Sequence, residues 1–301
     1  MSASVAAPRS LGGALLRRPV AAGALAFLVV LTIASFAAPW LAAWRGLDPE
    51  QVNLLARAQP PSDVHWLGTD ELGRDLLLRL LYAGQVSLTV GFAAAFGAAV
   101  VGSAIGLVAG WAGGRLDALL MRLADLLMAL PVLPLLVILA ALDLGKLGLP
   151  PDVAGAAWTG LARIVVLIVL VGWVTVARLV RGTTLSLKRR EFVLAARALG
   201  ARDRTILWRH VLPNAASPIV VATTLSIGNV ILLESVLSFL GLGIQPPTAS
   251  WGNMLTNAQQ TLWSEPMLAV WPGLFIFATV MAFNLLGDAL QDELDPRGRS
   301  G

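Results

Sequence analysis

Cysteine is absent from this 301-residue chain, which excludes disulfides and thiolate metal sites. Charge is also scarce. Charged residues make up 13% of the sequence, against about 25% in a soluble domain. That is too few to cover a surface facing water. With 57% hydrophobic residues and a mean hydropathy of +0.76, most of the surface must face lipid. Histidine occurs only at His65 and His210. These fall in polar segments expected on opposite membrane faces, so they cannot share a metal, and no H-E-x-x-H occurs. The phosphate-binding pattern G-x-x-x-x-G-K-[ST] is missing too: Gly145-Lys146 is followed by Leu147. There is no G-x-S-x-G elbow. The sequence therefore offers no catalytic residue, no cofactor site and no ATPase site of its own.

The net charge of +4 and pI near 10.5 could suggest nucleic acid. The basic residues are confined to segments between apolar runs, which fits membrane topology and argues against a nucleic-acid partner. A spanning helix needs roughly 20 apolar residues. Uncharged stretches place six of them: 20–43, 85–110, 126–142 (starting a turn or two earlier), 157–178 with Arg163 snorkelling to an interface, 216–240 and 266–287. The first run is too long for a signal-peptide core and reads as an uncleaved anchor. Six spans put both termini on one face. With that face inside, most of the 22 Lys and Arg are inside, including the cluster from Arg178 to Arg209.

The expected fold is therefore an all-α polytopic membrane protein with six transmembrane helices. Residues 1–19 form a cytoplasmic tail, 20–43 the anchor helix and 44–84 an extracytoplasmic segment. Residues 85–287 form a five-helix core carrying a cytoplasmic insert at 188–218, and 288–301 form a second cytoplasmic tail. Gly102, Gly106 and Gly110 make a small-residue ridge on the second span, suited to close helix packing.

The insert is the most polar stretch within the core. Lys188, Arg189 and Arg190 suit anionic lipid headgroups. From Glu191 the periodicity predicts a helix with Phe192, Ala195, Ala196 and Leu199 on one face, ended by Gly200 in a left-handed cap. Asp203 suits the N-cap of a second short helix. Pro213, after Leu212, would stop it, and Asn214 would start the turn into the next span. These residues alone fit a docking element for a soluble partner, or an amphipathic hairpin lying on the membrane.

Three stretches carry a resemblance. The first is the insert, with Glu191, Ala195-Ala196, Gly200 and Leu212-Pro213. The second is His65-Trp66-Leu67-Gly68-Thr69-Asp70-Glu71-Leu72-Gly73-Arg74-Asp75. The third is Leu237-Ser238-Phe239-Leu240-Gly241-Leu242-Gly243-Ile244-Gln245-Pro246-Pro247 with Trp251-Gly252-Asn253-Met254. Asn284 to Asp288 and Leu294-Asp295-Pro296-Arg297 also match. Together they resemble permeases of the dipeptide/oligopeptide/nickel ABC-importer family, of the second permease type and type I fold. Leu194 stands where that family's signature has its glutamate, which moves the acidic role to Glu191.

The resemblance implies an ATP-driven importer in a bacterial inner membrane. Its partners would be a second permease subunit forming a heterodimer, two cytoplasmic ATPase subunits, an extracytoplasmic solute-binding protein and membrane lipid. The ATPase-coupling residues would be Glu191, Ala195, Ala196, Gly200, Asp203, Leu212 and Pro213. The cargo would be a di- or oligopeptide, with nickel or another small solute as the alternative. A self-contained secondary transporter, or a scaffold without flux, is the remaining reading of the residues.

Two further segments face outward in this reading. Thr69 could cap an interfacial helix over 70–82, with Asp70, Arg74 and Asp75 near its start; it would either contact the binding protein or tie the first span to the second. The 241–255 loop would line the outer mouth, with Phe239, Gln245, Trp251 and Asn253 as gate candidates. Glu234 lies within the fifth span and must face the bundle or a wet cavity, because an acid facing lipid is costly. It would either line the pathway or bond a neighbouring helix. Single cysteines at positions 202 and 250 would report sidedness in this cysteine-free chain.

Overall fold

The computed structural model describes residues 18–142, 145, 150, 152, 157–256 and 262–294. Outside them lie Arg9, Arg17, Lys146, Asp295, Pro296, Arg297 and Arg299, with most of the first expected tail and half of the second. Among the described residues the chain is helical, without strands.

The first span is two helices, α1 (Pro19–Phe36) and α2 (Ala38–Arg45), where the sequence suggests one. The break precedes Pro39, which has no N–H to give the carbonyl of Ser35. Gln85 Nε2 donates to that carbonyl at 2.7 Å and so satisfies the group the proline leaves open.

The second span, α3 (Leu76–Ala112), runs unbroken for 37 residues, roughly 55 Å. It is longer than the expected 85–110. The interfacial helix expected over 70–82 does not form. Residues 70–75 make a tight turn, and 76–82 are the first turns of α3 itself. Asp75 caps α3, accepting from Leu78 N at 2.9 Å. Thr69, expected as the cap, instead accepts from Gln59 N and donates to the Ala56 carbonyl.

After α3 come α4 (Gly114–Ala129) and α5 (Val132–Ala140), bent by 88° at Leu130-Pro131. Then comes α6 (Ala157–Leu187). The glycine ridge of α3 lies against α6: a Cβ on Gly102 would meet the Trp173 carbonyl at 2.5 Å, and one on Gly106 the Ala177 carbonyl at 2.5 Å. Gly97 faces Val169 and Gly110 faces Thr184, so the numbers rise together and the two helices run parallel.

Parallel neighbours oblige the chain to return between them, and α4 with α5 makes that return. Asp117 of α4 pairs with Arg181, Asp125 with Arg178, and Ala124 packs on Trp173 and Ala177. At the other end of α6, the Arg163 guanidinium donates to the carbonyls of Leu139, Ala140 and Leu142. Arg163 thus caps the C-terminus of α5, where snorkelling was expected. Among the described residues, five single helices are long and apolar enough to cross a membrane, and the bent pair, taken as one span, makes six.

The insert follows as α7 (Glu191–Ala198) and α8 (Asp203–Ile206), leading through a widened π turn (Leu207–Val211) straight into α9 (Leu212–Phe239). Pro213 therefore stops nothing. It sits in the first turn of α9, where a missing N–H costs least, and the wide turn makes room for its ring. Asn214 lies inside α9, its Nδ2 on the His210 carbonyl. Asp203 is the first residue of α8 rather than its cap; Arg202 holds the cap position, and Asp203 faces Arg197 at 3.4 Å.

The last helix, α10 (Met267–Leu294), runs antiparallel to α9, with Gly228 against Val280 and Gly287 against Leu225. Arg18 pairs with Asp292 at 2.6 Å. The two described ends of the chain therefore lie together at the insert end of the bundle. The 46–75 segment and the 241–256 loop share the opposite end, where Trp251 Nε1 donates to the Leu80 carbonyl in the first turns of α3 at 3.0 Å.

Candidate functional site

Two sites emerge, one at each end of the bundle. At the insert end, α7 is only eight residues long, too short to persist alone. Val193, Ile206 and Val211 are fully buried against Trp111 of α3 and hold it in place. Gly200 has φ +79°, the expected left-handed cap. On the side turned away from the bundle, Glu191, Phe192, Leu194, Ala195 and Leu199 are exposed, Leu199 at 89%. Trp208 is also exposed, as are Arg189, Arg190, Arg202, Arg204 and Arg209 of the same segment. Ala196, expected on the same face as Ala195, packs inward beside Trp111. Leu212 is half-buried and Pro213 exposed.

At the opposite end, one carboxylate holds the 241–256 loop at two points. Glu234 is fully buried. Ser238 donates to its Oε1 at 2.7 Å, and Ser238 Oγ accepts from the backbone N–H of Ile244 at 3.0 Å. Ser87 of α3 donates to its Oε2 at 3.0 Å, and Ser87 Oγ accepts from Trp251 N–H at 3.3 Å. A hydroxyl can donate and accept at once, so each serine relays the carboxylate to a backbone N–H. The arrangement joins α3, α9 and both ends of the loop. Glycine permits the close approach: a Cβ on Gly252 would sit 2.5 Å from the Ser235 backbone.

Of the gate candidates, Trp251 is buried in the core and Phe239 is half-buried. Asn253 Nδ2 bonds the carbonyls of Ile244 and Thr248 within the loop, and Gln245 is exposed with Nε2 on the Gly241 carbonyl. Glu234 thus takes the helix-bonding alternative in this conformation. Ser87 and Ser238 were not singled out in the sequence, where serine in an apolar helix is unremarkable. Ser250, suggested for labelling, is buried; exposed Thr256 is the usable position at this end, and Arg202 at the other.

The 46–75 segment is closed by charge. Asp70 accepts from Leu72 N and Arg74 N at 2.9 Å each and from Arg74 Nε at 2.7 Å, with Arg79 Nε at 3.4 Å. Besides capping α3, Asp75 lies 3.0 Å from His65 Nδ1 and 3.5 Å from Arg45, whose guanidinium stacks on Trp66 at 4.3 Å. Asp70 and Asp75 are buried, and through Arg45 the Asp75 carboxylate ties the first span to the second. The Asp75 carboxylate has two duties that substitution separates. Asp75→Asn keeps the cap acceptor but removes the charge beside buried Arg45. Asp75→Ala removes both and should cost about 1–2 kcal/mol more, the size of a lost N-cap. Melting of the detergent-solubilised variants measures the difference; equal melting would refute the cap.

Residues 102–300 match the family model of the binding-protein-dependent transport system inner membrane component. The chain is 40% identical over 273 residues to the nickel transport system permease protein NikC of Escherichia coli K12, covering 91% of this chain and 92% of that one. It is 38% identical to the oligopeptide transport system permease protein OppC of Bacillus subtilis, covering 91% and 85%. It is 39% identical to the glutathione transport system permease protein GsiD of Pectobacterium atrosepticum, covering 95% and 89%. Among solved structures, the inward-facing MetNI methionine ABC transporter superposes with a TM-score of 0.57 at 17% identity, covering 73% of this chain and 98% of that one.

Proposed function

This chain belongs to the binding-protein-dependent transport system inner membrane component family and is a permease subunit of an ABC importer; from that premise we propose that it carries di- or oligopeptides inward. In this reading it pairs with a second, non-identical permease. The assembly has two cytoplasmic ATPase subunits, one of which docks on this insert, and an extracytoplasmic binding protein delivers cargo at the opposite end. The insert and both termini face the cytoplasm of a bacterial cell. Hydrolysis takes place on the partner chains.

The observation that carries the proposal is the insert. Its inner face packs on α3, while its outer face leaves apolar side chains exposed in a segment rich in exposed arginine. A solvated apolar ridge of this kind fits a groove in a soluble partner. Closure of the ATPases would move α7 and α8 as one body, and the bundle would exchange inward and outward access. Two of the three relatives named above are named for peptide cargo, glutathione being a tripeptide. The two histidines lie at opposite ends of the bundle, which disfavours a nickel site formed by both.

A cysteine at position 202 should react with a membrane-impermeant maleimide only after the membrane is opened, and one at Thr256 should react in intact cells. The reverse pattern would overturn the orientation. The chain should co-purify with an ATPase and support vanadate-sensitive uptake of a labelled tripeptide; tripeptide-independent, nickel-dependent uptake would select the other cargo. Gly200→Pro forces φ from +79° to about −65° and should dismantle the cap of α7. ATP hydrolysis should persist in that variant while uptake falls at least about tenfold. Wild-type uptake would contradict docking through α7.

A further inference from the structure

We propose that Trp111 is the joint through which movement of the insert reaches the far end of the bundle, making it a positioning residue for transport; this rests on the importer reading above. Trp111 occupies the last turn of α3 and is 9% exposed. Its ring is held by one cation in the link from α6 to α7 and by one in the last turn of α7. The Arg197 guanidinium lies 5.0 Å from the ring centroid and the Lys188 ammonium 5.5 Å. Lys188 also donates to the Trp111 carbonyl, one of the unpaired acceptors at the end of α3. Beneath the ring, Val193, Ile206 and Val211 are fully buried.

Three features make this a joint rather than ordinary packing. First, α7 is short and makes its buried contact with the bundle through this cluster, so a force applied to α7 is applied to Trp111. Second, Trp111 belongs to a helix that reaches the opposite end without interruption. That helix begins at the Asp75 cap and carries Ser87, which bonds both Glu234 and the backbone of the 241–256 loop. Third, the chain leaves α3 through Gly113 and Gly114, with φ +66° and +59°. α4 is therefore not a stiff continuation, and displacement of Trp111 is directed along α3. The two cations add attraction to the ring face that an aliphatic side chain of similar bulk lacks.

The test uses the assembled importer, with partner subunits made cysteine-free, in proteoliposomes. Thr256→Cys is placed in this chain, and its maleimide labelling rate is compared without nucleotide and after trapping with ATP and vanadate. In the otherwise unaltered chain, trapping changes the rate. In Trp111→Leu the ATPase rate and assembly persist, and the trapping-dependent change shrinks about three- to tenfold, the size of a lost cation–π contact. Trp111→Phe, which keeps an aromatic face, restores most of it. A full change in Trp111→Leu overturns the joint, as does failure of Trp111→Phe in an assembled complex. If Trp111→Leu does not assemble, Arg197→Gln decides: its exposed side chain is dispensable for packing, and an undiminished change there overturns the proposal. No change in the unaltered chain would instead refute the reading that nucleotide-driven motion of the insert reaches the 241–256 loop.

Discussion

Replacing Glu234 with alanine should abolish uptake and lower the stability of the solubilised protein by about 3 kcal/mol, the cost of two buried hydrogen bonds to a carboxylate. The loss extends beyond the carboxylate. Ser87 and Ser238 would lose the acceptor for their protons while still accepting from Trp251 and Ile244, so the loop would remain bonded to two half-satisfied hydroxyls. Glu234→Gln is the informative partner. It keeps the shape and one acceptor oxygen but presents an NH₂ to the other serine, so it should lie between wild type and alanine in melting temperature. If uptake and melting were both unchanged in Glu234→Ala, the carboxylate would not be holding the loop.

Gly106→Leu should prevent assembly of a transport-competent chain. The Cβ alone would approach the Ala177 carbonyl at 2.5 Å, Val180 Cβ at 2.9 Å and the Arg181 backbone N at 3.0 Å. Two of these atoms are backbone, so no rotamer change relieves them and α3 must move away from α6. Overpacking of this kind costs about 3 kcal/mol. The separation would also disturb Asp117–Arg181, which holds α4 alongside α6. Gly182→Leu is the matched control: it lies within α6, and a Cβ there would meet nothing within 4 Å. Expression, size-exclusion profile and co-purification with the ATPase compare the two. Equal behaviour would show that the ridge does not set the helix spacing.

The helix boundaries show where a linear reading runs short. Uncharged stretches located every span, but each of α3, α6 and α10 extends beyond its stretch. The reason is pairing. Arg79 stays inside α3 because Asp70 lies 3.4 Å away, and Arg178 and Arg181 stay inside α6 because Asp125 and Asp117 face them. An unpaired charge ends an apolar helix, whereas a paired one is carried within it. The starting point of α3 was missed for a similar reason. Thr69 and Asp75 are both competent caps by residue type, and Gly68 and Gly73 permit the turn that hands the role to Asp75. A Cβ at Gly73 would fall 1.8 Å from the Asn53 carbonyl, so this turn closes only against the preceding segment.

Hydropathy and charge along the chain were enough to establish a membrane bundle of six crossings, an arginine-rich insert, and a left-handed glycine cap at Gly200. Those properties belong to single residues and their near neighbours. That α3 and α6 run parallel, that Ala196 turns inward, and that Ser87 and Ser238 link Glu234 to the loop depends on residues far apart in sequence. In the Ser87–Glu234 bond the partners are 147 positions apart. Periodicity can say that a buried acid needs a partner, but only the packed bundle can say which hydroxyl is within 3 Å of it.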